Sequence, residues 1–126
     1  MRPLRVLVAD DHGDVLSALV DLVRSDSRFV VAGTARNGYA AVDFARAHRV
    51  DLALIDVRMP GGGPFTSEAL LALENPPVVV AISAESSAGV VREMTQAGAS
   101  TVLVKWWIGA TLPDRLMEAW AQGLSD

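Results

Sequence analysis

Five polar residues stand directly behind short apolar runs. Asp10 and Asp11 follow Leu4–Ala9, Asp56 follows Leu52–Ile55, Ser83 follows Val78–Ile82, and Lys105 follows Thr101–Val104. Carboxylates brought together repel one another, which raises their proton affinity unless a cation lies between them. A donor set of oxygens alone, with no His or Cys, selects a hard ion. Mg²⁺ comes first because it accepts a few carboxylates plus waters. With the ion present, one carboxylate oxygen can act as a nucleophile toward phosphorus. The Ser83 hydroxyl and the Lys105 ammonium suit the oxygens of a transferring phosphoryl group. Taken singly, each residue has a duller reading: a solvated turn, a helix cap, a surface charge. Their joint placement decides for chemistry.

The elements that must carry these residues alternate. Apolar runs at 4–9, 29–32, 51–55, 78–82 and 101–104 read as strands. Most are continuously apolar, as in strands buried on both faces. Between them, Val15, Leu16, Leu19, Val20, Leu22 and Val23 fall on one helical face, and an Ala-rich helix covers about 39–48. A short helix at 67–73 stops at Asn75-Pro76-Pro77. Another, capped by Ser86 or Ser87, runs to about Ala97 with Gly98 behind it. A last helix spans about 113–123 and presents Leu116, Met117, Trp120 and Leu124. Five strands alternating with helices predict an α/β fold with a parallel sheet covered on both faces. Right-handed crossovers make it doubly wound. No Gly-x-Gly-x-x-Gly follows the first strand, so the flavodoxin-like order 2-1-3-4-5 is preferred to a dinucleotide fold. In that order the strand carboxyl ends share one rim, and the polar residues converge there.

At 126 residues the chain is expected to be a single domain, residues 1–126, with enough core to need no staples. It has no cysteine, hence no disulfide and no thiolate metal site. No run reaches the roughly 18 apolar residues of a membrane span, and the first residues lack the pattern of a signal peptide. A cytoplasmic location is therefore expected, without membrane contact. The net charge of −4 argues against nucleic-acid contact by this domain.

These residues resemble the receiver domain of two-component response regulators, the CheY-like family. The likeness covers the whole chain: Val-Ala-Asp10-Asp11-His12, Ile-Asp56-Val-Arg-Met-Pro60, Ser83-Ala84, Ala97-Gly98-Ala99 and Val104-Lys105 occur in family order and spacing. The opening Asp-Asp-His is most similar to the subfamily with a C-terminal helix-turn-helix. The resemblance implies a three-layer sandwich in which Asp56 is the phosphoacceptor. Asp10, Asp11 and Asp56 then hold Mg²⁺ together with the Arg58 carbonyl, Ser83 is the switch hydroxyl, and Lys105 contacts the phosphoryl group. It further implies a sensor histidine kinase as donor and a conformational switch in phosphorelay signalling, with the output on the fourth and last helices. Such a domain catalyses only its own phosphorylation and dephosphorylation, so it is not counted an enzyme. A homodimer, transcription regulation and a DNA-binding domain beyond residue 126 are further partners and roles the family allows.

Three departures stand out. Val102 replaces the aromatic residue three positions before the lysine, and Trp106 replaces the proline after it, so no cis peptide is expected there. The Gly61-Gly62-Gly63-Pro64-Phe65-Thr66 segment is about two residues longer than usual and is expected to be mobile. Val102 and Trp106 support a rival reading, a phosphorylation-independent receiver-like interaction module. A hydrolase with an Asp nucleophile would want a second acid at Arg58. Of Trp106 and Trp107, one ring is expected on the rim, partly exposed.

Overall fold

The computed structural model describes residues 2–85 and 87–125. Five strands, β1 (Leu4–Ala9), β2 (Phe29–Ala35), β3 (Leu52–Asp56), β4 (Val78–Ser83) and β5 (Thr101–Val104), form one sheet in the order β2-β1-β3-β4-β5. Every neighbouring pair is parallel. The crossovers are α1 (Gly13–Arg24), α2 (Gly38–Ala47), α3 (Gly63–Leu71) and α4 (Ala88–Gln96). A short α5 (Lys105–Ile108) and a 3₁₀ turn then lead into α6 (Leu112–Ser125).

Alternation along the strands divides the core into two layers. Val6, Val8, Leu52, Leu54, Val80 and Ile82 pack against Leu19 and Val23 of α1 and Leu112 and Leu116 of α6. Leu7, Ala9, Ala53, Ile55, Val79 and Ala81 face the other way, onto Ala41 and Val42 of α2, Leu70 of α3 and Met94 of α4. The flavodoxin-like, three-layer arrangement expected from the apolar pattern is the one observed. Both faces of the sheet are dry, which explains why β3 and β4 carry no polar residue before their final position.

Three boundaries differ from the sequence reading. β2 continues through Gly33, Thr34 and Ala35, because a register shift between Val6 and Leu7 lets β1 keep pairing past Ala32. Gly33 ends nothing: the Phe44 ring of α2 lies where its Cβ would be, 2.5 Å away. α3 begins within the glycine-rich segment, at Gly63 rather than at Ser67, with Pro64 in the first turn, where its missing N–H is harmless. The chain also enters α5 directly from β5. With Trp106 in the proline's place the backbone keeps its N–H, and no cis peptide occurs among the described residues.

Gly63 is held tightly. A Cβ there would lie 2.8 Å from the Val57 Cα and 3.0 Å from the Met94 sulfur. Gly63→Ala should therefore force backbone apart and lower stability by about 1–3 kcal/mol. The denaturation midpoint checks this; an unchanged midpoint would mean the loop yields freely.

Candidate functional site

The carboxyl ends of β1, β3, β4 and β5 meet on one rim, as the strand order requires. Asp10 follows β1 and is fully buried; Asp56 and Ser83 are the last residues of β3 and β4 and are buried too. Asp11 lies half-buried beside Asp10. Lys105 opens α5 and sends its ammonium into the cleft, 2.8 Å from Asp10 Oδ2 and 3.2 Å from Asp56 Oδ1. The rim thus brings together Asp10, Asp11, Asp56, Ser83 and Lys105, the residues picked from the strand ends.

Local turns orient these groups. The His12 N–H donates to Asp10 Oδ1 at 2.9 Å, and the Arg58 N–H donates to Asp56 Oδ1 at 3.2 Å. Each is an Asx-type contact two residues on, the natural geometry where Asp ends a strand. Likewise the Glu85 N–H donates to Ser83 Oγ at 3.2 Å, leaving the hydroxyl proton free to point into the cleft. The Arg58 side chain leaves the cleft and pairs with the Glu85 carboxylate. Arg36 reaches across from beyond β2 and donates to the Asp11 carbonyl at 2.8 Å and 3.2 Å, pinning the first turn.

The charges are not balanced by protein alone. Burial pushes the Asp56 carboxyl above the usual carboxylate range, and the nearby Asp10 adds to this, although the Arg58 N–H and Lys105 pull it back. Burial also opposes the charge on Lys105, but Asp10 and Asp56 outweigh it and hold the ammonium above the usual lysine value. Asp56 Oδ2 is buried with no hydrogen-bond partner among the described residues. Such an acceptor is costly unless something positive reaches it.

A cation would meet that need. Asp10, Asp11, His12 and Asp56 each offer a ligand atom, and these atoms lie within 4.8 Å of one another. The residues present therefore fit a divalent ion. The sequence reading took oxygen donors only, so His12 was not among its candidates. Its place directly behind two aspartates was the available signal.

Of the remaining residues singled out, Val102 lies on β5 opposite Ala81 and packs, half-buried, against the α2–α3–α4 side of the core. Trp120 packs against the α1–α6 side. The side chains of Trp106 and Trp107, and Ser86, lie outside the described residues; Ser87 caps α4 through Val90 N–H at 3.2 Å.

Comparison with known proteins agrees with this geometry. The family model of the response regulator receiver domain matches residues 6–117. The chain is 36% identical over 114 residues to a protein-glutamate methylesterase/protein-glutamine glutaminase of Myxococcus xanthus, covering 89% of this chain and 32% of that one. It is 36% identical over 103 residues to the regulatory protein NarL of Mycobacterium tuberculosis, covering 81% and 48%. This chain thus spans less than half the length of either relative. The receiver domain of the latter superposes with a TM-score of 0.91 at 30% identity, covering 96% and 98% of the two chains. A CheX–CheY–BeF₃–Mg²⁺ complex from Borrelia burgdorferi matches with a TM-score of 0.84 at 26% identity, covering 94% and 90%. This chain belongs to the response regulator receiver domain family of two-component signalling. No helix among the described residues is long and apolar enough to cross a membrane.

Proposed function

We propose that this chain is a phosphoacceptor receiver domain whose Asp56 takes a phosphoryl group from a histidine kinase. The observation that carries the reading is the buried Asp56 carboxylate, whose Oδ1 stands 3.2 Å from the Lys105 ammonium and whose Oδ2 has no hydrogen-bond partner among the described residues, on the rim that also holds Ser83. The Asp56 oxygen attacks phosphorus, the P–O bond forms as the P–N bond to the kinase imidazole breaks, and the electron pair leaves with the imidazole nitrogen. Lys105 stays anchored on Asp10 and turns from Asp56 Oδ1 toward a phosphoryl oxygen. Ser83 donates its hydroxyl proton to another such oxygen. A divalent ion held by Asp10, Asp11 and Asp56, with the Arg58 carbonyl, would offset negative charge on the transferring group. Mg²⁺ accompanies the related CheY in its complex, which supports that choice. Loss of the phosphoryl group to water resets the domain.

The output is a shift between two conformations rather than turnover of an external substrate. The surface proposed to change comprises α4, β5 and α6, since Ser83 and Lys105 begin the segments that lead into it. A cytoplasmic location, a second copy of the chain and, in a longer protein, a C-terminal DNA-binding domain belong to the same reading. The acidic receiver itself leaves nucleic acid to that domain.

The direct test is incubation with a small acyl phosphate and Mg²⁺, followed by intact mass measurement and borohydride trapping. One phosphoryl group should be added, and the reduced residue should map to Asp56. No adduct, or an adduct on another residue, would overturn the assignment. A second reading, the phosphorylation-independent interaction module, is favoured by Val102, since no aromatic ring stands there to follow Ser83. In that case the labelled protein would show unchanged hydrogen exchange in α4 and β5.

A further inference from the structure

We propose that His12 adds a nitrogen ligand to the cation site, so that this receiver favours a borderline first-row divalent ion such as Ni²⁺ over Mg²⁺ by more than its carboxylates alone would. The inference rests on the cation-binding reading above and adds the class of ion. Its basis is the spacing of the donors. His12 Nδ1 stands 3.1 Å from Asp11 Oδ1 and 3.5 Å from Asp10 Oδ1, and one ligand atom each from Asp10, Asp11, His12 and Asp56 falls within 4.8 Å of the rest. An ion with ligands at about 2.1 Å keeps adjacent donors about 3 Å apart and opposite donors about 4.2 Å apart. The 3.1 Å and 3.5 Å separations of His12 Nδ1 match adjacent donors, and the 4.8 Å bound on the whole set is slightly wider than opposite donors, a gap that the exposed imidazole can close.

The turn that presents the acids also presents the imidazole. His12 is the residue before α1: its carbonyl accepts from the Leu16 N–H at 2.8 Å, and its own N–H donates to Asp10 Oδ1. Arg36 holds the Asp11 carbonyl. Backbone on both sides of the imidazole is therefore fixed, while the ring is 70% exposed and can settle onto an ion without disturbing the core. The independent sign that a cation is wanted is Asp56 Oδ2, on a side chain that is 3% exposed and without a hydrogen-bond partner among the described residues.

Imidazole discriminates between these ions more sharply than carboxylates do. Mg²⁺ favours oxygen and keeps its waters, so a nearby imidazole adds little to its binding. Affinity for nitrogen rises along the first-row series toward Ni²⁺ and Cu²⁺. A simple ion pair between a protonated His12 and the acids is the competing account, and it makes no demand on which ion binds.

The test is calorimetric titration of the tag-free protein with Mg²⁺ and with Ni²⁺. His12→Ala is compared with wild type and with His48→Ala. His48 stacks on Phe44 behind α2, at the amino ends of the strands, and controls for adventitious histidine binding. Wild type and His48→Ala should bind Ni²⁺ more tightly than Mg²⁺. His12→Ala should lose about tenfold or more in Ni²⁺ affinity while its Mg²⁺ affinity stays within about twofold. In proton spectra, substoichiometric Ni²⁺ should broaden the His12 imidazole signals before those of His48. If wild type binds both ions and the Ni²⁺ to Mg²⁺ ratio is unchanged in His12→Ala, the His12 assignment is wrong and the cation site stands. If wild type binds neither ion, the cation site itself falls, and the selectivity with it.

Discussion

Asp56→Asn should abolish phosphoryl transfer to the chain while leaving the fold intact. A neutral amide oxygen is too weak a nucleophile to displace a leaving group from phosphorus, and Asp56 is the carboxylate that ends β3 beside the Lys105 ammonium. The substitution keeps shape and removes a charge that burial opposes. Because the folded-state pKa of Asp56 is raised, ionising it costs stability, and that cost appears as the pH climbs above the usual carboxylate range. Below that range Asp56 is protonated in both the folded and unfolded chain, so the cost vanishes. In chelator at neutral pH the variant should thus unfold at a denaturant concentration equal to or above that of wild type, with the advantage lost in acid. Mass measurement after acyl-phosphate treatment gives the first result and denaturation gives the second. Labelling of the variant to the wild-type level would place the phosphoacceptor elsewhere.

Lys105→Met should have the opposite effect on stability. The Lys105 ammonium is the counterion for two buried acids at once, and its own side chain is only 8% exposed. Methionine preserves most of the apolar stem, so what is lost is the charge. Leaving buried carboxylates without their partner costs about 3–5 kcal/mol, and uptake of a proton by one acid sets the loss toward the lower end. Divalent binding should improve, because the ion no longer competes with the ammonium for Asp10 and Asp56. Saturating Mg²⁺ should then restore part of the loss, about 2.7 kcal/mol at a hundred times the dissociation constant. Phosphorylation should nonetheless slow, since the donor to the phosphoryl oxygen is gone. Denaturation in chelator and in Mg²⁺, with titration of the ion, separates these effects. A variant as stable as wild type in chelator would show that Lys105 is not the counterion.

The periodicity of the chain was enough for the architecture. β1 and β5 have the bounds read from their apolar runs, and the strand order follows from uninterrupted apolar strands joined by helices. The reason is that burial on both faces forbids polar residues inside β3 and β4, so the first polar residue, Asp56 or Ser83, also marks the rim. Boundaries set by contacts distant in sequence were not legible. β2 runs past Gly33, where the Phe44 ring of α2 takes the place of a side chain, and α3 starts at Gly63, which Val57 and Met94 crowd too closely for a side chain. The site divides in the same way. Which residues reach the rim is a property of local pattern. Which atom of Asp56 is left without a partner, and that the Lys105 ammonium bridges two acids, depend on how four strand ends approach in space. His12 shows this most plainly. In the sequence it is one residue of a polar break, and only the turn pinned by Arg36 and Asp10 brings its imidazole to within 3.1 Å of Asp11.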